Sequence, residues 1–194
     1  MRVSTSVVAA VVSIVALSAA APIPARQASA GTTKTAAARS AKLACNGATE
    51  PGKPIRVSPA INAKLKYTTV SGSVPLNHCT SPDGSHRHLR SARLDFRLTG
   101  QASCTRVRDV RSVGVITWYG KKNHGGTPIG RSHLQTPAHA ARFSPGQALP
   151  ALKITSGPLA GSTVKAGALG NAAHLNCGSR GISSLAGAFW AYAR

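Results

Sequence analysis

The sequence predicts an all-β fold, a single antiparallel β-sandwich or barrel of about 7–9 short strands stapled by disulfides. Three observations carry this expectation. Residues Arg93 to Thr99 alternate strictly between apolar and polar, the period of a strand with one buried face. Glycine and proline, 19 and 12 of 194 residues, recur along the chain and punctuate it into short elements. Beyond the N-terminal segment no stretch holds an apolar 3.6-residue period for three turns, so packed helices are not expected.

Taken in order, Arg2, the 15-residue apolar run Val7 to Ala21 and the small residues Ala28-Ser29-Ala30 read as a cleavable signal peptide over residues 1–30. The run is shorter than the ~20 apolar residues a bilayer span needs. The expected product is therefore secreted, with no integral membrane span after cleavage. Residues 31–43 are largely Thr, Ala and Lys without apolar period and read as a flexible lead-in. Residues 44–194 then form one all-β domain. Within it Lys64 to Val70 is strand-like. In Arg93 to Thr99, Leu94, Phe96 and Leu98 face the core, and Arg93, Asp95, Arg97 and Thr99 face water. Val113 to Tyr119 is β-branched and aromatic and ends at Gly120-Lys121-Lys122-Asn123, a hairpin signal. Leu152 to Ser156 and Ser162 to Ala166 flank a tight connection set by Gly157-Pro158 and Gly161. Ala186 to Tyr192 closes the pattern with Phe189, Trp190 and Tyr192, read as core or half-core aromatics.

The four cysteines Cys45, Cys79, Cys104 and Cys177 all follow the signal segment, and an even number in an exported chain reads as two disulfides. Three connectivities are open. The preferred one joins Cys79 to Cys104 across a polar loop and Cys45 to Cys177 across the domain. No C-x-x-C pair occurs, which disfavours zinc.

Charge is the other strong signal. The chain carries 24 Lys and Arg against four acids, a net charge of +20, and residues 31–194 retain 22 basic residues for a net +18. The acids, Glu50, Asp83, Asp95 and Asp109, have no spacing that suggests a catalytic carboxylate pair or a calcium loop. No G-x-S-x-G elbow is present, and Gly114 to Lys121 puts five residues between its glycines where a phosphate loop has four. The reading is a non-enzyme without cofactor. His78, His86 and His88, with Cys79, form a weak metal-ligand candidate. Pro82-Asp83-Gly84 makes that segment read rather as a mobile, solvated turn, and no metal is expected. Arg87, Arg90, Arg93, Arg97, Arg106, Arg108 and Arg111, with Lys121 and Lys122, form a cationic run suited to phosphate and carboxylate groups of anionic polymers or cell-wall material. Eight aromatic residues in all are too few for the basic-aromatic interleaving of a specific nucleic-acid binder.

The order Cys45-Asn46-Gly47, Cys79, Gly100 to Cys104, Thr117-Trp118-Tyr119-Gly120, Ile154-Thr155-Ser156-Gly157-Pro158-Leu159-Ala160-Gly161 and Cys177 resembles that of a largely uncharacterised group of small exported actinobacterial proteins. The resemblance covers Cys45 to the C-terminus. It implies an all-β domain with two disulfides and no established activity, cofactor or ligand. The chain departs from the group in its basicity. The expected function is a secreted, non-catalytic binding module for anionic envelope or extracellular polymers. The alternative is a structural or interaction protein, inhibitor- or effector-like, with a protein partner.

Overall fold

The structure is a computed structural model that describes residues 40–137, 142–143, 151–168 and 181–194. The expected signal segment 1–30, residues 31–39 of the expected lead-in and Cys177 lie outside these residues. Leu43, the last residue of the expected lead-in, is the first of a strand. In chain order the strands are β1 (Leu43–Ala48), β2 (Ile55–Ile61), β3 (Lys66–Thr80), β4 (Ser91–Ala102), β5 (Val107–Tyr119), β6 (Pro128–Gln135), β7 (Arg142–Phe143), β8 (Leu152–Ser156), β9 (Thr163–Ala168), β10 (Ile182–Leu185) and β11 (Ala188–Ala193). No helix occurs among the described residues.

All pairings are antiparallel. The strands β3, β4, β5, β6, β8, β9 and β11 follow one another as a meander, and β1 lies between the two ends of that meander. One edge of β1 pairs with β11, Leu43 opposite Ala193, and the other pairs with β3, Gly47 opposite Leu76. The result is an eight-stranded closed barrel, so of sandwich and barrel it is the barrel that forms. The expected count of about 7–9 strands fits the barrel wall. Outside the wall, β2 pairs with the first half of β3, β10 pairs with β2, and β7 pairs with the start of β5.

β3 has different partners along one edge. Thr69 to Ser71 pair with β2, and Leu76 to Thr80 pair with β1. Pro75 falls between these two stretches, where its missing N–H leaves no ladder bond unmade. The alternation expected for β4 is present: Leu94, Phe96 and Leu98 are buried while Asp95, Arg97 and Thr99 are exposed. Leu43, Val74, Leu89, Ile116, Trp118 and Ile154 join them in the barrel core. The gap that Leu43, Trp118, Ile154 and Ala191 border measures about 20 Å³. An eight-stranded barrel is just wide enough for side chains to fill, and this one is filled.

A polar chain crosses the core wall. The Trp118 indole Nε1 donates to Ser132 Oγ at 2.8 Å, and Ser132 Oγ donates to the Pro158 carbonyl at 2.5 Å. The turn that carries Pro158 depends on Gly157, which has φ 84° and sits against the Arg131 carbonyl where a Cβ would collide. Ser132 thus satisfies the one polar atom of a buried tryptophan and fastens the β8–β9 turn to β6.

The disulfide pattern corrects the preferred pairing. Cys45 is bonded to Cys79, with Cα atoms 4.1 Å apart, so neither Cys79 with Cys104 nor Cys45 with Cys177 occurs. The reason is topological: β1 lies beside the end of β3, which puts Cys45 and Cys79 on adjacent strands facing inward. No described cysteine is free.

Two outcomes are expected. Ser132→Ala should lower unfolding free energy by about 1–3 kcal/mol by stranding the buried indole N–H, read from urea denaturation. The double change Cys45→Ala, Cys79→Ala opens a link of sequence separation 34. By the chain-entropy model it should cost about 3–4 kcal/mol, seen as a lowered midpoint in the same assay.

Candidate functional site

Strand registers place the predicted arginines. One row across the outer face of the wall reads Arg56, Ser71, Arg97, Val113, Gln135 and Lys153, on β2, β3, β4, β5, β6 and β8. A second reads Pro75, Arg93, Thr117 and Arg131. Arg111 stands opposite Thr99, and Arg108 opposite Gln101. Neighbouring strands lie about 4.8 Å apart and outward residues of one strand about 7 Å apart. Arg93, Arg97, Arg108 and Arg111 therefore share one outer surface with Arg56, Arg131 and Lys153, which the sequence reading did not select. Asp95 sits within it, between Arg93 and Arg97 on β4. Val113 and Tyr67, 63% and 68% exposed, are apolar members of the same surface.

The other candidates lie at the barrel ends. Arg87 and Arg90 are on the β3–β4 loop, Lys121 and Lys122 on the β5–β6 loop, and all four are exposed. These two loops meet at one end: Arg90 N donates to the Tyr119 carbonyl, Ser91 Oγ donates to the Lys121 carbonyl, and His124 N donates to Ser91 Oγ. Arg106 belongs to the short β4–β5 turn at the opposite end, away from them.

Side-chain and backbone hydrogen bonds close the β3–β4 loop into a turn around Asp83. Asp83 Oδ1 accepts from Ser81 Oγ at 2.8 Å, Ser85 N at 3.0 Å and Ser85 Oγ at 2.7 Å. His86 N donates to Ser81 Oγ, and Gly84 N donates to the Ser81 carbonyl. Bonding from Ser85, then Ser81, stabilises the carboxylate and holds the Asp83 pKa at about 2, below its ordinary 3.8. The segment is thus a turn, as its Pro82-Asp83-Gly84 sequence leads one to expect. His86 and His88 have ring centroids 6.1 Å apart, tilted by 56°, and Cys79 is bonded to Cys45. Among the described residues no three His, Cys, Asp or Glu side chains converge as a metal site. Glu50 bonds Lys53 Nζ at 2.8 Å and Arg93 Nη2 at 2.9 Å, and the Lys53 hydrogen bond chiefly lowers its pKa.

A groove runs along the outside of the barrel at its seam, over β11, β1 and β3. The outward residues of β1 here are Ala44 and Asn46, opposite Tyr192 and Trp190 on one side and Thr80 and Asn77 on the other. The register shift between Ala44 and Asn46 makes a bulge in β3, and His78 in that bulge has φ 51°. Trp190 and Tyr192 stack with centroids 5.0 Å apart and planes within 7°. The Arg194 guanidinium lies 5.9 Å from the Tyr192 centroid, and paired backbone bonds with Thr163 hold Arg194 in place. Trp190 also leans over Gly167 of β9. Ala44, Asn46, His78, Thr80, Trp190 and Tyr192 line the groove, whose volume is about 320 Å³.

No protein-family model, no curated protein and no solved structure matches this chain.

The Asp83 turn has a defined pH dependence. Because the folded pKa is lowered, its contribution is complete above the ordinary carboxylate value and fades as pH falls through the folded one. The Ser85 amide resonance should titrate with a midpoint near 2 rather than 3.8 in an NMR pH series, and Asp83→Ala should abolish the step.

Proposed function

We propose that the protein is an exported, non-catalytic binding module that engages anionic polymers through the outer face of β2 to β8. One observation carries the reading: registers from five strand pairings bring Arg56, Arg93, Arg97, Arg111, Arg131 and Lys153 to a single outward surface. Guanidinium groups on a rigid sheet present paired donors to phosphate, sulfate or carboxylate without a large ordering cost. Two of the four acids fit a structural role, since Glu50 is tied to Lys53 and Arg93 and Asp83 to its own turn. The oxidised Cys45–Cys79 pair fits export to an oxidising compartment, as does the N-terminal apolar run. A second disulfide is what the resemblance to the actinobacterial group implies.

The exposed Val113 and Tyr67 within the basic surface favour a second reading, a protein partner held by apolar contact as well as charge.

Retention of the secreted protein on heparin or purified wall polymer should fall steeply from about 0.05 M to about 0.5 M salt, as screening shortens the range of the field. The triple variant Arg97→Ser, Arg111→Ser, Arg131→Ser should bind at least about tenfold more weakly at low salt. Retention that is equal at both salt concentrations, or unchanged in the variant, refutes the polyanion reading. Salt-resistant capture of one protein from culture medium supports the second.

A further inference from the structure

We propose that the ligand of the basic surface is a flexible single-chain polymer of phosphate groups, and that it winds across the strands around most of the barrel instead of lying on one side of it. The inference rests on the polyanion reading above and adds the path and the class of polymer. The row from Arg56 through Arg97 to Lys153 does not stop at β8. Lys153 stands opposite Thr163 of β9, and Thr163 exchanges backbone bonds of 2.8 and 3.2 Å with Arg194, which follows β11. Arg56, Arg97, Lys153 and Arg194, all exposed, are therefore members of one unbroken row that starts on β2 and ends beside β11. Its seven strand-to-strand steps of about 4.8 Å make it roughly 34 Å long, with these cations about 10, 14 and 10 Å apart.

The chemistry of the row suits phosphate along its length. Between the cations stand Ser71, Gln135 and Thr163, neutral side chains that can donate to phosphate oxygens beside the paired donors of the guanidinium groups. No Asp or Glu side chain interrupts it. The neighbouring rows toward Arg93 are poorer: Asp95 stands between Ser73 and Val115, and Arg93 gives its Nη2 to Glu50 at 2.9 Å. On the other side Arg111, opposite Thr99, adds a cation alongside. A polyanion that keeps to the Arg97 row avoids the carboxylates and meets a cation or a neutral donor at nearly every strand.

Shape selects the kind of chain. From Ser71 to Arg194 the row crosses every strand of the barrel wall except β1, so it turns most of the way round. It also winds as a spiral, because it leaves β3 at Ser71, whereas β1 rejoins β3 at Leu76 to Thr80. A polymer can follow that path without meeting itself. A flat anionic membrane touches one flank of such a surface. A DNA duplex, with a persistence length of about 50 nm, stays straight over this distance and reaches either the β4 to β6 flank or the β9 to β11 flank, never both. Acidic polysaccharides carry their carboxylates on stiff rings. Phosphates joined through single bonds turn within a few atoms, and so fit both the donors and the curvature.

The test measures binding of the full secreted protein to long-chain inorganic polyphosphate across a salt series, with tripolyphosphate, duplex DNA and phosphatidylglycerol vesicles alongside. The deciding variant is Lys153→Gln with Arg194→Gln, two exposed side chains at the end of the row far from Arg97. At about 0.05 M salt the double change should weaken the long chain at least about fivefold. It should also reduce the slope of log K against log salt by about 1.4, two contacts at about 0.7 each on a single chain. Tripolyphosphate, too short to join the two flanks, should bind far more weakly than the long chain. Duplex DNA and vesicles should also bind more weakly and should not sense the change. Long-chain affinity and slope that the double change leaves untouched overturn the winding path. So does tripolyphosphate, duplex DNA or vesicle binding as tight as that of the long chain. Heparin retention that stays salt-sensitive alongside either of those results leaves the polyanion reading standing while the path fails, and salt-insensitive heparin retention removes both.

Discussion

Closure of the barrel by β1 is the constraint on which the rest of the structure depends. A strand of six residues supplies both missing edges, to β11 and to β3. Without it those two strands would present unpaired backbone, and the apolar side chains behind them would lose one wall. The residues of β1 are small, and this lets larger neighbours close over them. Phe189 lies where Gly47 has no side chain, and on the opposite face of the sheet Trp190 lies over Gly167 of β9. Leu43 and Cys45 point inward, and the bond from Cys45 to Cys79 converts backbone pairing into a covalent clasp.

What the sequence made legible was local. The strict alternation of β4, the β-branched run of β5 and the glycine-bounded β8 and β9 could be recognised because each wears its pattern within a few residues. β1, β2, β6 and β10 could not. β6 reads Pro-Ile-Gly-Arg-Ser-His-Leu-Gln, and its buried Ser132 breaks the apolar alternation because it is there to accept the Trp118 indole rather than to fill space. β1 reads as a small-residue stretch, since packing against Phe189 takes the place of bulk of its own. β3 extends ten residues beyond Val70 through Ser, Gly and Pro, which are poor strand formers alone and are carried by partners on both sides.

The same division runs through the surface chemistry. Arg93, Arg97 and Arg111 stand out because they lie close together in sequence. Arg56, Arg131 and Lys153 join them only through registers that link distant segments. The seam groove lies further still from any linear motif, because its lining comes from β1, the end of β3 and β11. Its one local trace was the clustering of Trp190 and Tyr192, which composition alone assigns to packing. The cysteine pairing was obscured for the same reason, since loop length favours Cys79 with Cys104 and only the position of β1 brings Cys45 nearer.

The seam also has a kinetic meaning. Leu43 meets Ala193, so the ring joins residues separated by 150 positions, and the entropy of closing so long a loop weighs against early formation. Hairpins of the meander, β3 with β4 and β4 with β5, need only short loops and can zip first. Joining β1 to β11 therefore carries a far larger closure entropy than any hairpin of the meander, the kind of non-local pairing that goes with slow folding of all-β chains.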